Sequence, residues 1–260
     1  MINFLKFTIV CIYYRNDPKG IVLSKKSLFI LTYVSLSACS ANHSPNDPLE
    51  AINRPIYYTN NVLDHTLLRP TVLAYDKTMP LPVKTGVSNF YRNMGQIPTI
   101  LNYALQANPD KASTALGRFL INATLGLGGL FDVASELGIA SLKQDFGQTF
   151  AQWGWKDSTY IVLPIMGPST FRDGLGYVAN VFSSPQYYLL KKPVRNEYFA
   201  GYLIDKRLQL TSLDSVVGNA GVDQYSFVRS SYLQNRSYSI GNAANINTKN
   251  KDSMMSGPPE

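Results

Sequence analysis

Four residues, Leu36-Ser37-Ala38-Cys39, constrain this chain more than any other feature. They follow a lysine pair, Lys25-Lys26, and the apolar run 27–36 (SLFILTYVSL), which has the length and character of a signal-peptide core. The run is too short to span a bilayer, which takes about 20 apolar residues. Everything after Cys39 is therefore expected to fold outside the cytoplasm, at a membrane surface.

A cysteine directly behind two small residues resembles the bacterial lipobox, whose thiol receives a diacylglyceryl group and whose freed amine is then acylated. An ordinary secretory signal with an incidental cysteine is the alternative. Several acyl chains, at about 0.8 kcal/mol per buried CH2, make a durable anchor where one chain is marginal. Ser40 stands where aspartate is associated with retention at the inner membrane, which points to the outer membrane. The segment ahead of Lys25 adds a second apolar patch where a signal should begin, so initiation is expected near Val22 or Leu23.

Removing positions 1–38 changes the charge argument. Of 24 basic and 17 acidic residues, that segment holds five and one, leaving 19 and 16, a net +3 instead of +7. No basic stripe interleaved with aromatics remains, which gives nucleic-acid binding no support. Cys11 and Cys39 are the only cysteines, so the mature domain must hold itself together without a disulfide. Charged residues are only 16% of the chain, against about 25% in soluble proteins, while Tyr and Phe are abundant. Either an aromatic-rich soluble domain or a protein that meets lipid headgroups has this composition.

Beyond a small polar tether at 39–46, apolar residues recur at helical spacing. Leu49, Ile52, Ile56, Thr59, Leu63 and Leu67 trace one face, with Asn53 as cap, Pro55 in the first turn and Pro70 as the stop. Val83, Val87, Phe90, Tyr91 and Met94 trace a second. A third opens at Asn108-Pro109 and continues through Ala112, Ala115, Leu116, Phe119, Leu120 and Ala123. It enters 119–131 (FLINATLGLGGLF), uncharged and with glycines at 126, 128 and 129. That length suits a buried or re-entrant segment. Phe131 stands where a nucleotide loop requires its next glycine, and no Lys-Ser/Thr follows. The stretch 160–166 (YIVLPIM) is broken by Pro164 and cannot be a long helix. Helical faces resume with Phe171, Leu175, Val178 and Phe182, then over 194–217 and 223–234. No run alternates cleanly, so the fold is expected to be all-α. One domain over 47–236 is expected, followed by a polar, disordered tail at 237–260.

Catalytic chemistry is sparse. His43 and His65 are the only histidines and neither has metal-ligand spacing. Ser169 lies in Gly-Pro-Ser-Thr, which lacks the second glycine of a nucleophile elbow. Paired carboxylates, such as Asp64 with Asp132 or Asp145, leave an enzyme open as a third reading.

The blocks DPLEAINRPIYYTNNVLD (47–64), PVKTGVSNF (82–90), LGRFLINATLGLGGLFDVAS (116–135), DFGQTFAQWGW (145–155), YIVLPIMGPSTFRDGLG (160–176) and YSFVRSSYLQNR (225–236) resemble the VacJ/MlaA family of Gram-negative outer-membrane lipoproteins. The resemblance implies a ring-like assembly of amphipathic helices lying in the membrane around a central channel. It further implies no enzymatic activity, no metal and no cofactor beyond the covalent diacylglyceryl and N-acyl groups on Cys39. Phospholipids straying into the outer leaflet would enter the channel and leave toward a soluble periplasmic carrier, beside a porin trimer. A porin-associated adaptor without transport is the competing reading. On this view Asn60, Asn61, Asp64, Arg118 and Asn122 are expected to line the channel, and Gly126, Gly128 and Gly129 to form turns or a gate.

Overall fold

The computed structural model describes residues 47–215 and 223–255. The signal segment 1–38, Cys39, the tether to position 46 and the last five residues of the expected tail lie outside them. Two compact units divide between Ile52 and Asn53. Of the first, the described part is the turn that opens α1, with Glu50 N–H donating to the Asp47 carbonyl at 3.2 Å. All that follows concerns the second.

Helices dominate the described residues. They are α1 (Glu50–Leu63), α2 (Arg69–Thr78), α3 (Leu81–Met94), α4 (Gln96–Leu105), α5 (Pro109–Thr124), α6 (Val133–Glu136) and α7 (Phe146–Gln152). A strand pair, β1 (Tyr160–Leu163) and β2 (Gly167–Thr170), precedes α8 (Phe171–Ser183), α9 (Pro185–Leu189), α10 (Lys192–Leu210) and α11 (Gln224–Met255). No described helix is long and apolar enough to cross a membrane. The caps read from sequence hold at α5, where the Asn108 side chain accepts from Lys111 N–H. At α7, Asp145 and Gln148 form a reciprocal capping box.

Four expectations meet a different outcome. Asn53 does not cap α1, which already starts at Glu50 and takes Pro55 inside. Pro70 does not stop the helix either. A π turn, Asp64–Leu68, lets the Arg69 N–H reach the Asp64 carbonyl, and Pro70 then occupies the first turn of α2. A proline whose missing N–H falls at a helix start removes no bond, so the chain continues where a break was expected. The third difference is the β1–β2 hairpin, an addition to an otherwise helical fold. Its antiparallel register pairs Tyr160 with Thr170 and Leu163 with Gly167. Fourth, α11 runs on to Met255, past position 237 where the polar composition suggests a tail without structure.

The hairpin is tied down by asparagines two helical turns apart on α1. Asn53, buried, donates to the Tyr160 carbonyl at 3.1 Å and accepts from Val162 N–H at 2.9 Å. Asn60 repeats the clamp, donating to Leu163 O at 2.9 Å and accepting from Ile165 N–H at 2.8 Å. Each side-chain amide thus matches a backbone donor and acceptor along β1 or the turn that follows it, as a neighbouring strand would. A hydrophobic cluster of Tyr57, Tyr160, Val162 and Tyr225 closes over this junction. Asn53→Ala removes both bonds to β1 and is expected to lower stability by about 2–3 kcal/mol, read as a shift in urea midpoint.

The distribution of polarity departs from that of a water-soluble domain. Among the described residues of this unit nine hydrophobic side chains are buried, against seventeen polar or charged ones. On α5, Leu116 and Leu120 are 44% and 50% exposed, while Arg118 and Asn122 are 3% and 5%. On α8 the stripe Phe171, Leu175, Val178, Phe182 faces outward, and Arg172 with Gly176 faces in. Single exposed leucines mean little, but whole helical stripes turned outward over buried arginine and asparagine mark a surface that meets hydrocarbon or a partner.

Candidate functional site

The inward polar faces of α3 and α5 converge beneath the turn that follows α5. Asn89 and Asn93 lie four residues apart opposite the apolar stripe of α3, Gln96 opens α4 three positions on, and all three are buried. With Arg92, Arg118, Asn122, Asp132 and Ser141 they line a polar pocket.

The turn itself explains two of the glycines. Leu127, Gly128 and Gly129 all have positive φ, at 50°, 74° and 93°, a conformation that glycine adopts without steric cost. Gly129 also lies directly on Asn93, where a Cβ would come within 2.7 Å of the Asn93 amide nitrogen. The chain can thus fold back over the pocket only with glycine at that point. Asn89 secures the turn by donating to the Leu130 carbonyl at 3.0 Å.

Arg118 is the centre of the wall. Its guanidinium donates to Asp132 at 2.8 Å, to the Ser135 hydroxyl at 3.0 Å and to the Ile139 carbonyl. Asn122 donates to the same Asp132 oxygen at 3.0 Å and accepts from Ala134 N–H at 2.9 Å. Burial alone would raise the Asp132 carboxyl, but hydrogen bonds from Ser135 and Asn122 and the charge of Arg118 outweigh it and hold the group below the ordinary aspartate range. Arg92 stands at the rim, 54% exposed at the side chain, 3.6 Å from Asp132.

These contacts sort the residues expected to line a channel. Arg118 and Asn122 are brought together at the pocket, and Gly129 roofs it. Asn60 is engaged with the hairpin, and Asp64 forms a two-point ion pair with Arg207 of α10 at 2.7 and 2.9 Å. Neither belongs to the pocket wall, and Asn61 is half-buried on α1. Gly126 has a packing role, since a Cβ there would strike the Asn122 and Phe131 carbonyls. The carboxylates considered as catalytic pairs are each held by a different arginine: Asp64 by Arg207, Asp132 by Arg118 and Asp145 by Arg236. Among the described residues no group of three histidine, cysteine or acidic side chains is placed to hold a metal. Sequence reading missed Asn89, Arg92, Asn93, Gln96, Asp132 and Ser141 as wall residues. The helical spacing of the amides at 89, 93 and 96 was the available signal.

Between α4 and α7 a second set of buried polar side chains is linked by hydrogen bonds. Thr149 donates to Asn102 at 2.6 Å, and Gln106 donates to Thr149 at 2.7 Å. Gln144 in turn donates to Gln106 at 2.8 Å. The pocket differs: Asn93 Nδ2 and Oδ1, Gln96 Oε1 and Arg118 Nε are buried without a hydrogen-bond partner among the described residues.

Comparison with known proteins extends these observations. A family model described as MlaA lipoprotein matches residues 45–239. The intermembrane phospholipid transport system lipoprotein MlaA of Escherichia coli is 34% identical over 200 residues, covering 74% of this chain and 78% of that protein. Its counterpart in Haemophilus influenzae is 28% identical over 231 residues, covering 85% and 92%. An uncharacterised protein of Rickettsia bellii is 37% identical over 195 residues, covering 75% and 76%. A solved chain described under "Structural basis for maintenance of bacterial outer membrane lipid asymmetry" superposes with a TM-score of 0.66 at 32% identity, covering 75% of this chain and 98% of that one.

Proposed function

The chain belongs to the MlaA lipoprotein family, and we propose that it removes misplaced phospholipids from the outer leaflet of the outer membrane for intermembrane transport. The single observation that supports this most is the inverted polarity: apolar stripes on α5 and α8 point outward over buried arginine, asparagine and glutamine. A phospholipid changing leaflets must keep its charged head among polar groups while its tails remain in hydrocarbon, because burying an isolated charge is costly. A protein that is greasy outside and polar inside offers both surfaces at leaflet depth.

In this reading Cys39 is the lipid anchor, the protein sits at the periplasmic side of the outer membrane, and a soluble carrier takes the lipid onward. A porin trimer is the neighbour we assign to part of the outward apolar surface. The protein cleaves nothing. The carboxylates considered as catalytic pairs, Asp64, Asp132 and Asp145, are each held by an arginine, which suits support of a wall better than proton transfer.

Deleting the gene is expected to raise the phospholipid accessible to an amine-reactive probe on intact cells, with restoration by the wild-type copy. Unchanged surface phospholipid would sink the proposal. Cys39→Ser is expected to block processing and lipid labelling, and to fail in complementation although the domain folds. Release of fatty acid or lysophospholipid from vesicles by purified protein would instead indicate an enzyme.

A further inference from the structure

Most of the polar lining beneath the 126–131 turn is occupied by the protein's own hydrogen bonds. Arg92 donates to Asn89 Oδ1 and stands 3.6 Å from Asp132. Asn89 bonds the Leu130 carbonyl with its other end, and Asn122 is engaged at both ends. The terminal nitrogens of Arg118 are taken by Asp132, Ser135 and Ile139. Four buried atoms of the lining have no partner among the described residues. Arg118 Nε and Asn93 Nδ2 are donors, and Gln96 Oε1 and Asn93 Oδ1 are acceptors.

The three side chains come from three helices, Asn93 from α3, Gln96 from α4 and Arg118 from α5. They are 2%, 8% and 3% exposed, so bulk solvent does not satisfy them, and a buried polar atom left unpaired is costly. Size decides what can. The space they line has a volume of about 10 Å³, room for one water molecule and not for a phosphate or a lipid headgroup. An ammonium ion is small enough, yet it has no lone pair to accept from Arg118 Nε and repeats the charge of the guanidinium beside it. Water both accepts and donates.

We propose that the pocket is a binding site for one structural water molecule, which joins α3, α4 and α5 and steadies the glycine turn above them. The water accepts from Arg118 Nε and donates to Gln96 Oε1 and Asn93 Oδ1, and three bonds is the usual number for an internal water. Gln96 is oriented for this from its other end, where its amide nitrogen donates to the Leu142 carbonyl at 3.4 Å and turns the oxygen inward. Asn93 Nδ2 then lies against Gly129, the residue whose missing Cβ lets the turn close. Holding Asn93 through the water therefore holds the surface on which the turn rests. Such a water is required whether or not the protein carries phospholipid.

The test uses the full lipoprotein in non-ionic detergent. Oxygen-17 magnetic relaxation dispersion counts internal waters by their slow exchange, and the wild type is expected to hold one more than Gln96→Met, which keeps the length of the side chain and removes its acceptor. Asn93→Leu, of nearly the same shape as asparagine, should lose the same water, so the comparison stands if one variant fails to fold. Circular dichroism melting identifies the folded ones. Hydrogen exchange supplies the second measurement. The amides of Gly128, Gly129 and Phe131, bonded to the Ala123 and Gly126 carbonyls within the turn, should exchange about tenfold faster in either variant, the value of one hydrogen bond.

A crystal structure of the same protein should show one isolated density peak within hydrogen-bond distance of Arg118 Nε, Gln96 Oε1 and Asn93 Oδ1. Equal numbers of internal waters in the wild type and both variants overturn the site. So does a crystal structure in which Asn93 and Gln96 turn to bond protein groups, or one in which the density extends beyond a single atom. Loss of the water with unchanged exchange at 128–131 overturns its role in steadying the turn. Each of these results leaves the transport reading where it was, because none of them measures lipid.

Discussion

Arg236→Met is expected to destabilise the domain by about 3–5 kcal/mol, read as a lower urea midpoint with an unchanged slope. The side chain is 15% exposed, and its guanidinium bonds two carboxylates from different elements. It reaches Asp145, the cap of α7, at 2.6 and 2.8 Å, and Asp173, in the first turn of α8, at 2.8 and 2.9 Å. Tyr232, one turn earlier on α11, donates to Asp173 at 2.8 Å. One side chain therefore fastens α11 to both helices. Methionine keeps most of the volume and leaves two acids facing each other without their shared cation, which is worse than never having buried them. Lysine should restore only part of the loss, because a point charge cannot bridge two carboxylates as the planar fork does.

The same residue sets an acid response. Burial alone would raise the Asp173 carboxyl, and hydrogen bonds from Arg236 and Arg172, with the Arg236 charge, outweigh it and lower the group below 3.8. A depressed folded value means that the unfolded chain binds the proton more readily. The contribution is thus complete above the unfolded aspartate value and fades as pH falls through the folded one. Wild-type stability should rise with pH across the carboxylate range, and Arg236→Met should flatten that rise. An equally steep rise in the variant would show that another acid dominates. Glycine makes this junction possible: a Cβ on Gly147 would strike Asp173 and Arg236, and one on Gly176 would come within 2.5 Å of the Gly147 nitrogen. The two helices approach to backbone contact there, which gives Arg236 its reach.

Much of this was readable from residue order. Helical spacing locates α1, α3, α5 and α8, and the polar faces opposite those stripes include Arg118 and Asn122, which the structure places in the pocket wall. The hairpin was hidden because Tyr160, Ile161, Val162 and Leu163 are all apolar. Their burial alternates, with Tyr160 and Val162 inside, but no alternation of polarity exists to announce it. Pro70 misleads for a different reason, since the proline rule holds for an α-helix and the π turn shifts the bonding by one residue. Asn60 and Asp64 carry polar side chains on a helix, as wall residues do. Only three-dimensional position shows that one serves β1 and the other Arg207. The same limit hid Asn93 and Gln96, whose importance comes from converging with a helix that begins thirteen positions after Gln96.

Arg118→Met separates support of the pocket from the pocket's chemistry. The expected loss is again about 3–5 kcal/mol, because Asp132 would keep its partly buried position with only the exposed Arg92, 3.6 Å away, in place of its hydrogen-bonded cation. Most of that loss should belong to the stranded carboxylate and not to the missing arginine contacts. The double variant Arg118→Met/Asp132→Asn is therefore expected to be more stable than Arg118→Met alone, with coupling of about 1–3 kcal/mol in a double-mutant cycle. Asparagine can still accept from Ser135 N–H and so preserve the cap of α6, which Asp132 now supplies at 3.3 Å. If the two substitutions simply add, Arg118 acts through Ile139 and Ser135 and the ion pair is incidental.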